Sequence, residues 1–421
     1  MSSKDETLDR YYTISGKLPS YYAELLKNYD ISNPNSEKLL EHCVWEDYRQ
    51  KNSYHNCIAK DSDFYLSVTN HYTLDDLKSA LQKFTENNDN EYSWHIEQMN
   101  KRYINMKTNN LSVDDKKACA LVLSYYTGKK DNSDRSSRNT NVLIRGQNLF
   151  TKVNGWNDGK QYFPVLYFIT KALANLPFYW GHTVRCVNME RNIIEKYQPG
   201  TVITWLQFSS SKIGEKPAPG FADRNTWFHI YSFSSREISQ FSIYSTEKEA
   251  LYSPFSHFLV FKKETGEGKT HIYMRQIEIG LYIHNIVWVD DNILNSNWEN
   301  KRLMEKAYSI KRDIKIIPKI STECALAFLK SFKPFIIDKT QNVKYKIISD
   351  MTRLNESEPN NAGARLVKYM QDNNFYNIEI MIFTSSFEKA KNEMKKLGVK
   401  MNKYIKVTVS SSDALNYLTS E

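Results

Sequence analysis

The sequence predicts two folded regions of different class. The first is α+β, with helices followed by a split, mixed β-core; the second is α/β, a doubly wound sheet of five parallel strands. Three observations predict this. Apolar residues recur at helical spacing in segments before Pro177 and give way after it to short β-branched and aromatic runs. From His284 onward strand-type and helix-type segments alternate, the pattern of repeated βαβ units. A chain of 421 residues also exceeds what one ordinary core supports.

Residues 1–60 read as an N-terminal extension rich in Tyr and Asn, partly helical around Pro19 to Asn28. Thr73-Leu-Asp-Asp76 then opens a helix with a side chain able to cap its first turn, and Leu74, Leu77, Ala80, Leu81 and Phe84 form its apolar stripe. Ser112-Val-Asp-Asp115 opens a second helix through Ala118, Leu121, Val122 and Tyr125. Gly128 to Asn141 is polar and charged, as a loop is. A third helix covers Phe163 to Leu176, with Pro164 suited to its first turn. Strands follow at His182–Val187, Thr201–Phe208, Thr226–Ile230, Glu249–Leu251, Phe258–Phe261 and His271–Ile277. In the second region the strands are Ile286–Val289, Ile314–Ile317, Tyr345–Ile348, Ile378–Phe383 and Tyr404–Val409. The helices are Trp298–Ser309, Thr322–Ser331, Ala362–Gln371, Phe387–Leu397 and one from Ser412.

Composition excludes several classes of function. The formal charge of +9 is moderate for this length and the lysines are scattered, so a dedicated nucleic-acid binder is not expected, although an anionic ligand is. No apolar run reaches membrane-spanning length and the N-terminus is charged where a secretory signal needs an apolar core, so neither a membrane nor export is expected. Cys43, Cys57, Cys119, Cys186 and Cys324 have no metal-type spacing and are odd in number, which fits a reducing, cytoplasmic compartment. The sequence leaves the oligomeric state open.

Candidate chemistry centres on Ile243-Tyr-Ser-Thr-Glu247-Lys-Glu249-Ala-Leu-Tyr-Ser-Pro254 through Phe258. Along a strand, side chains alternate between faces, so Glu247 and Glu249 would point the same way and could divide labour as paired carboxylates do. An isolated E-x-E is ordinarily a solvated strand end, so the weight rests on its companions: Arg185 at a strand end and Ser209-Ser210-Ser211 after Phe208.

In order and spacing these residues resemble the Arg-Ser-Glu class of mono-ADP-ribosyltransferases, in its arginine-directed branch. Further matches are Leu111-Ser-Val-Asp-Asp through Tyr125-Tyr-Thr127, Asn141-Val-Leu-Ile-Arg145, Ala172-Leu-Ala-Asn-Leu-Pro177, and the E-x-E-x-L-x-x-P-x-x-x-F-x-V pattern from Glu247 to Val260. The family's Ser-Thr-Ser reads here as Ser210-Ser-Lys212 or Ser209-Ser-Ser211, and Val184 and Cys186 replace the residues that flank its arginine. The resemblance implies an ADP-ribosyltransferase-like catalytic domain over residues 61–282 that uses NAD as co-substrate, with a protein bearing an exposed arginine as its partner. By the same resemblance Glu249 stabilises the ribose cation, Glu247 orients or deprotonates the acceptor, Ser210 holds Glu249 and Arg185 binds the phosphate and ribose side. Ser209 and Ser211 join the cofactor site, and Phe221 or Trp227 stacks the nicotinamide. An NAD glycohydrolase and a catalytically silent scaffold are the rival readings.

Residues 284–421 resemble a response-regulator receiver domain. Asp290, Asp291 and Asp350 match its acids, which would hold Mg²⁺ through oxygen ligands. Asp350 matches its phosphoacceptor, Thr384 its switch hydroxyl and Lys406 stands near its lysine, without the Pro that follows in that family.

Overall fold

The computed structural model describes residues 12–18, 20–36, 70–85, 89–128, 140–141, 159–280, 282, 284–337, 343–375 and 377–420. Most of the N-terminal extension, the polar loop before Asn141 and Val142 to Arg145 lie outside them. The chain divides into two compact units, one comprising Met1–Ser32 and Val44–Ile277 and the other Asn33–Cys43 and Glu278–Glu421. Among the described residues no helix is long and apolar enough to cross a membrane.

The first unit opens with β1 (Tyr12–Lys17) and α1 (Ser20–Leu26), then α2 (Leu74–Phe84), α3 (Asp89–Arg102), α4 (Val113–Thr127) and α5 (Phe163–Ala174). The strands β2 (Gly181–Val187), β3 (Thr201–Trp205), β4 (Ser209–Ile213), β5 (Thr226–Ser232), β6 (Arg236–Glu237), β7 (Glu249–Tyr252), β8 (Ser256–Gly266) and β9 (Lys269–Ile277) follow. The caps act as the sequence predicts. Thr73 accepts the Asp76 N–H at 3.2 Å while the Asp76 carboxylate accepts the Thr73 N–H at 2.7 Å, and Ser112 accepts the Asp115 N–H at 3.1 Å. From Ala118 to Thr127 every residue of α4 is buried, the signature of a central helix. It packs with α2 and α5 in one apolar cluster that reaches Phe208 and Leu251, and Lys171 fixes α5 to it by an ion pair to Asp115 at 2.5 Å. That cluster sets the end of α4 beside the strands bearing the candidate residues.

The strands pair in the order β1-β3-β8-β9-β5-β2-β4-β7-β6, all antiparallel except β5 with β9, so the sheet is mixed as expected. The expected split is a difference: pairing is continuous through all nine strands. What resembles a division is the join of β2 to β4, which has only two register pairs, Thr183 with Ile213 and Val184 with Lys212. Beyond that narrow join the ends of β2, β4 and β7 frame a cavity.

The second unit alternates β10 (His284–Val289), α6 (Lys301–Ile310), β11 (Ile314–Lys319), α7 (Thr322–Ile337), β12 (Lys344–Asp350), α8 (Ala362–Asp372), β13 (Glu379–Phe383), α9 (Phe387–Lys396), β14 (Ile405–Thr408) and α10 (Ser411–Thr419). All five strands are parallel, in the order β11-β10-β12-β13-β14, so the first strand in sequence lies second in the sheet and the order reverses beside it. Helix α8 approaches β12 so closely that a Cβ on Gly363 would lie 2.8 Å from the Asp350 carbonyl oxygen, a contact only glycine permits.

Candidate active site

A cleft of about 420 Å³ opens in the first unit. Arg185 of β2, Ser210, Ser211 and Lys212 of β4, and both Glu247 and Glu249 line it. Tyr126 and Thr127 at the end of α4, Asn141 and Phe221 complete much of the wall. Three adjacent strands and one helix end thus gather residues drawn from more than a hundred positions of sequence.

The backbone explains how the two acids meet, and it corrects the alternation argument. Glu247 is not on a strand: it ends a short 3₁₀ turn (Ser245–Glu247), and Lys248 follows in the left-handed region at φ 47°. Only then does β7 begin with Glu249. The reversal at Lys248, rather than a period of two, turns both carboxylates to the cleft. Its position is tied down by the Ile213 N–H, which donates to the Lys248 carbonyl at 2.8 Å, and by the Ile238 N–H, which donates to that of Glu249 at 2.9 Å. Across the ladder Ser210 faces Leu251, Ser211 faces Ala250 and Lys212 faces Glu249.

Burial sets the electrostatics. It pushes the Glu249 carboxyl up to about 7; the negative charge of Glu247 adds to this, while the hydrogen bond from Ser210 and the charge of Arg185 oppose it. Glu247 is also raised, by burial, with the Lys212 ammonium pulling the other way. The two acids therefore differ in both partners and proton affinity. Arg185 donates Nη1–H to the Ser210 carbonyl at 2.5 Å, which fixes the guanidinium at the cleft wall, and burial lowers its proton affinity. The Tyr126 phenol is raised to about 12 by burial and hydrogen-bonds the Ser210 side chain. Cys186 is raised to about 11, also by burial, so this cleft thiol is no nucleophile near neutral pH.

Of the expected cofactor residues, Phe221 is in the cleft and Trp227 is not. Trp227 projects from the other face of β5, its indole N–H donating to the Arg224 carbonyl at 3.1 Å and its ring lying against His271 and under the Lys269 ammonium. Strand alternation decides this, because the neighbouring Phe228 is in the core. Ser209 is buried outside the cleft and donates to the Gln207 carbonyl at 3.4 Å, whereas the Ser211 hydroxyl is buried without a hydrogen-bond partner among the described residues. Sequence reasoning missed Lys212, Tyr244 and Arg224 among the cleft residues; the Arg224 guanidinium lies 4.5 Å over the Phe221 ring and its charge reaches Arg185. The available signal for Arg224 was the Phe221-Ala-Asp-Arg224 turn, which places an aromatic and a cation three apart.

The second unit gathers fewer of its candidates. Asp290 and Asp350 approach each other at the C-terminal ends of β10 and β12, and Asp350 is pushed up to about 6 by burial and by the Asp290 charge. Both Asp290 oxygens are already engaged, one by the Asn292 N–H at 2.9 Å and the other by the Trp298 indole N–H at 2.9 Å. Asp291 instead accepts the Leu354 N–H at 2.8 Å. Among the described residues no three His, Cys, Asp or Glu side chains converge as a metal site, so of the expected Mg²⁺ set only Asp290 and Asp350 come together. Thr384 follows β13 as expected, its hydroxyl accepting the Ser386 N–H at 3.4 Å. Lys406 is misplaced for the proposed cluster: it is paired at 3.2 Å with Glu379, at the opposite end of β13 from Thr384. A buried Arg353 occupies the neighbourhood, donating to the Ser349 hydroxyl and the Asp350 carbonyl at 2.8 Å, to Thr322 at 2.7 Å and to Glu356 at 2.7 Å.

Two acids, a guanidinium and a serine thus meet in one cleft beside a mixed sheet. The family model described as NAD:arginine ADP-ribosyltransferase matches residues 63–279, and the chain belongs to that family. It is 38% identical over 109 residues to Mav of Mycobacterium avium (strain 104), a protein provisionally named an NAD(+)-arginine ADP-ribosyltransferase; the match covers 25% of this chain and 13% of Mav. It is 29% identical over 109 residues to the NAD(+)-protein-arginine ADP-ribosyltransferase Tre1 of Serratia proteamaculans (strain 568), covering 26% of this chain and 23% of Tre1. NAD(P)(+)-arginine ADP-ribosyltransferase 2 of Gallus gallus is 31% identical over 115 residues, 27% of this chain and 36% of that protein. The chain thus spans well under half the length of each of these curated relatives. Among solved structures, the ADP-ribosyltransferase HopU1 of Pseudomonas syringae pv. Tomato DC3000 aligns with a TM-score of 0.32 at 16% identity, over 52% of this chain and 97% of that one.

Proposed function

We propose that this chain transfers ADP-ribose from NAD to the side chain of an arginine on a protein substrate, and that residues 61–282 form the catalytic domain. The observation that carries the reading is the convergence of Glu247, Glu249, Arg185 and Ser210 on one cleft. Arg185, with Arg224 close to it, supplies fixed cations for the pyrophosphate of the donor, and Phe221 offers an aromatic face for the nicotinamide. The bond from the ribose C1′ to the nicotinamide nitrogen breaks and its electron pair stays on nicotinamide, neutralising the ring. The ribose carries the positive charge, which the Glu249 carboxylate stabilises by about 3 to 4 kcal/mol, the scale of one well-placed electrostatic contact. An arginine nitrogen then bonds to C1′ and Glu247 takes the proton it gives up. Ser210 holds Glu249 in place by the hydrogen bond described above.

Radiolabelled NAD tests the reading directly. Nicotinamide release that rises with a small guanidine acceptor, with label transferred to it, is expected; release indifferent to acceptor would make the protein a glycohydrolase, and no release would make it a scaffold. For the second unit we propose a receiver-shaped interaction module that acts in the same, cytoplasmic compartment. The support is the strand order and the Arg353 network, which ties the ends of β10 and β12 to Thr322 and Glu356.

A further inference from the structure

We propose that Lys212 selects the substrate of the transfer reaction put forward above, and that the favoured acceptor is an arginine flanked by acidic residues. Lys212 stands in β4 directly across from Glu249, and the residue after it donates its N–H to the Lys248 carbonyl at 2.8 Å. The strand bearing Lys212 and the turn bearing Glu247 are therefore tied at two successive points. Lys212 lines the same cleft as Glu247, is half-buried, and donates to the Ile213 carbonyl at 3.4 Å. Among the described residues it forms no ion pair.

The cations of the cleft fall into two groups. Arg185 and Arg224 act on each other, whereas Lys212 acts on Glu247. This separation assigns the guanidinium pair to the dinucleotide and Lys212 to the acceptor side. A half-buried ammonium has lost part of its water and gains from an incoming anion. The next residue after Glu247 is the exposed Lys248, so the acceptor carboxylate has the Lys212 charge acting on it within the cleft and a second lysine next to it in the chain. A polypeptide that presents a guanidinium to Glu247 must pass its neighbouring residues over these ammoniums. Carboxylates there are attracted and lysines are repelled. In the triple-serine segment, this lysine stands where the first register of the family pattern has serine, so the selectivity belongs to this chain.

The experiment uses the full chain, NAD and three peptides that share one central arginine, with acidic, neutral or basic flanks, and measures kcat/KM for each at low and high salt. The acidic peptide should exceed the neutral one about threefold to fivefold, the range of a single solvent-exposed ion pair, and the preference should shrink as salt rises. Lys212→Gln should erase the preference, Lys212→Glu should reverse it and Lys212→Arg should keep it, each with an unchanged melting temperature. If Lys212→Gln slows all three peptides equally, Lys212 serves only the charge of Glu247 and the proposal fails. If it raises the KM for NAD and leaves the preference intact, Lys212 binds the donor and the proposal fails. Absence of nicotinamide release by the wild-type chain with any peptide would instead overturn the transfer reaction on which the inference rests.

Discussion

Between pH 8 and 5.5 nicotinamide release should fall along a one-proton limb centred near 7, because Glu249 stabilises the ribose cation only as an anion and its carboxyl holds its proton up to about 7. About one molecule in ten would be ionised at that position at pH 6, so the rate there should be about a tenth of the plateau. Glu247 contributes to the shift through like-charge repulsion, so Glu247→Gln should move the limb toward acid, by roughly one pH unit or less. The assay is kcat/KM for acceptor-independent nicotinamide release, which reports groups in the free enzyme. A profile flat down to pH 5.5, or a limb that stays put in Glu247→Gln, would refute the reasoning. Stability gives a second reading of the same proton. A carboxyl whose proton affinity rises on folding favours the folded state below its ordinary pKa of 4.5, and that contribution is lost as pH climbs through about 7. Glu249→Gln should then match wild type near pH 4 and exceed it at pH 8 by up to about 3 kcal/mol.

The remaining predictions concern the roles of single groups. Glu247→Gln should lose arginine modification by about a hundredfold or more, the usual weight of a general base, while acceptor-independent release stays within a few-fold; intact transfer in that variant would remove the assigned role. In the second unit, Arg353→Met should cost about 3 kcal/mol or more in urea unfolding, because Glu356 would remain half-buried with one of its two guanidinium partners gone. Acetyl phosphate with Mg²⁺ should leave the mass of the chain unchanged, and a phosphate found on Asp350 by peptide mapping would overturn the reading of this unit as an interaction module alone.

Legibility followed the range over which a feature is determined. The second unit was readable element by element because βαβ alternation is local and repeated, and its strands start and stop within a few residues of expectation. Helices α2 and α4 announced themselves through caps at Thr73 and Ser112. Helix α3 did not. Its stretch Asp89–Arg102 is polar, with the buried face carried by Glu91, His95, Gln98 and Met99, so no apolar stripe marked it. The family motifs named Arg185, Ser210, Glu247 and Glu249, but motif spacing carries no rotamer and no partner. Phe221 and Trp227 were equal as aromatics near the same loop; Phe221 reaches the cleft from the turn before β5, whereas the register of β5 turns Trp227 away from it.

Lys248 shows why the acid pair needed three dimensions. Had Glu247, Lys248 and Glu249 continued one strand, the two carboxylates would lie about 7 Å apart on one face, in the same environment and against the same neighbours. They would then titrate alike and neither would be set aside for the acceptor. The left-handed residue costs about 1 kcal/mol in a non-glycine chain, and the backbone bond from Ile213 to its carbonyl keeps it in place. What this strain achieves is asymmetry: Glu249 sits deep, against Ser210 and near Arg185, while Glu247 ends a turn and feels Lys212. Replacing Lys248 by glycine should relieve the strain yet loosen that turn, so acceptor-dependent transfer should suffer more than nicotinamide release. Equal loss of both would place the two acids in one rigid unit and deny the turn its separate role.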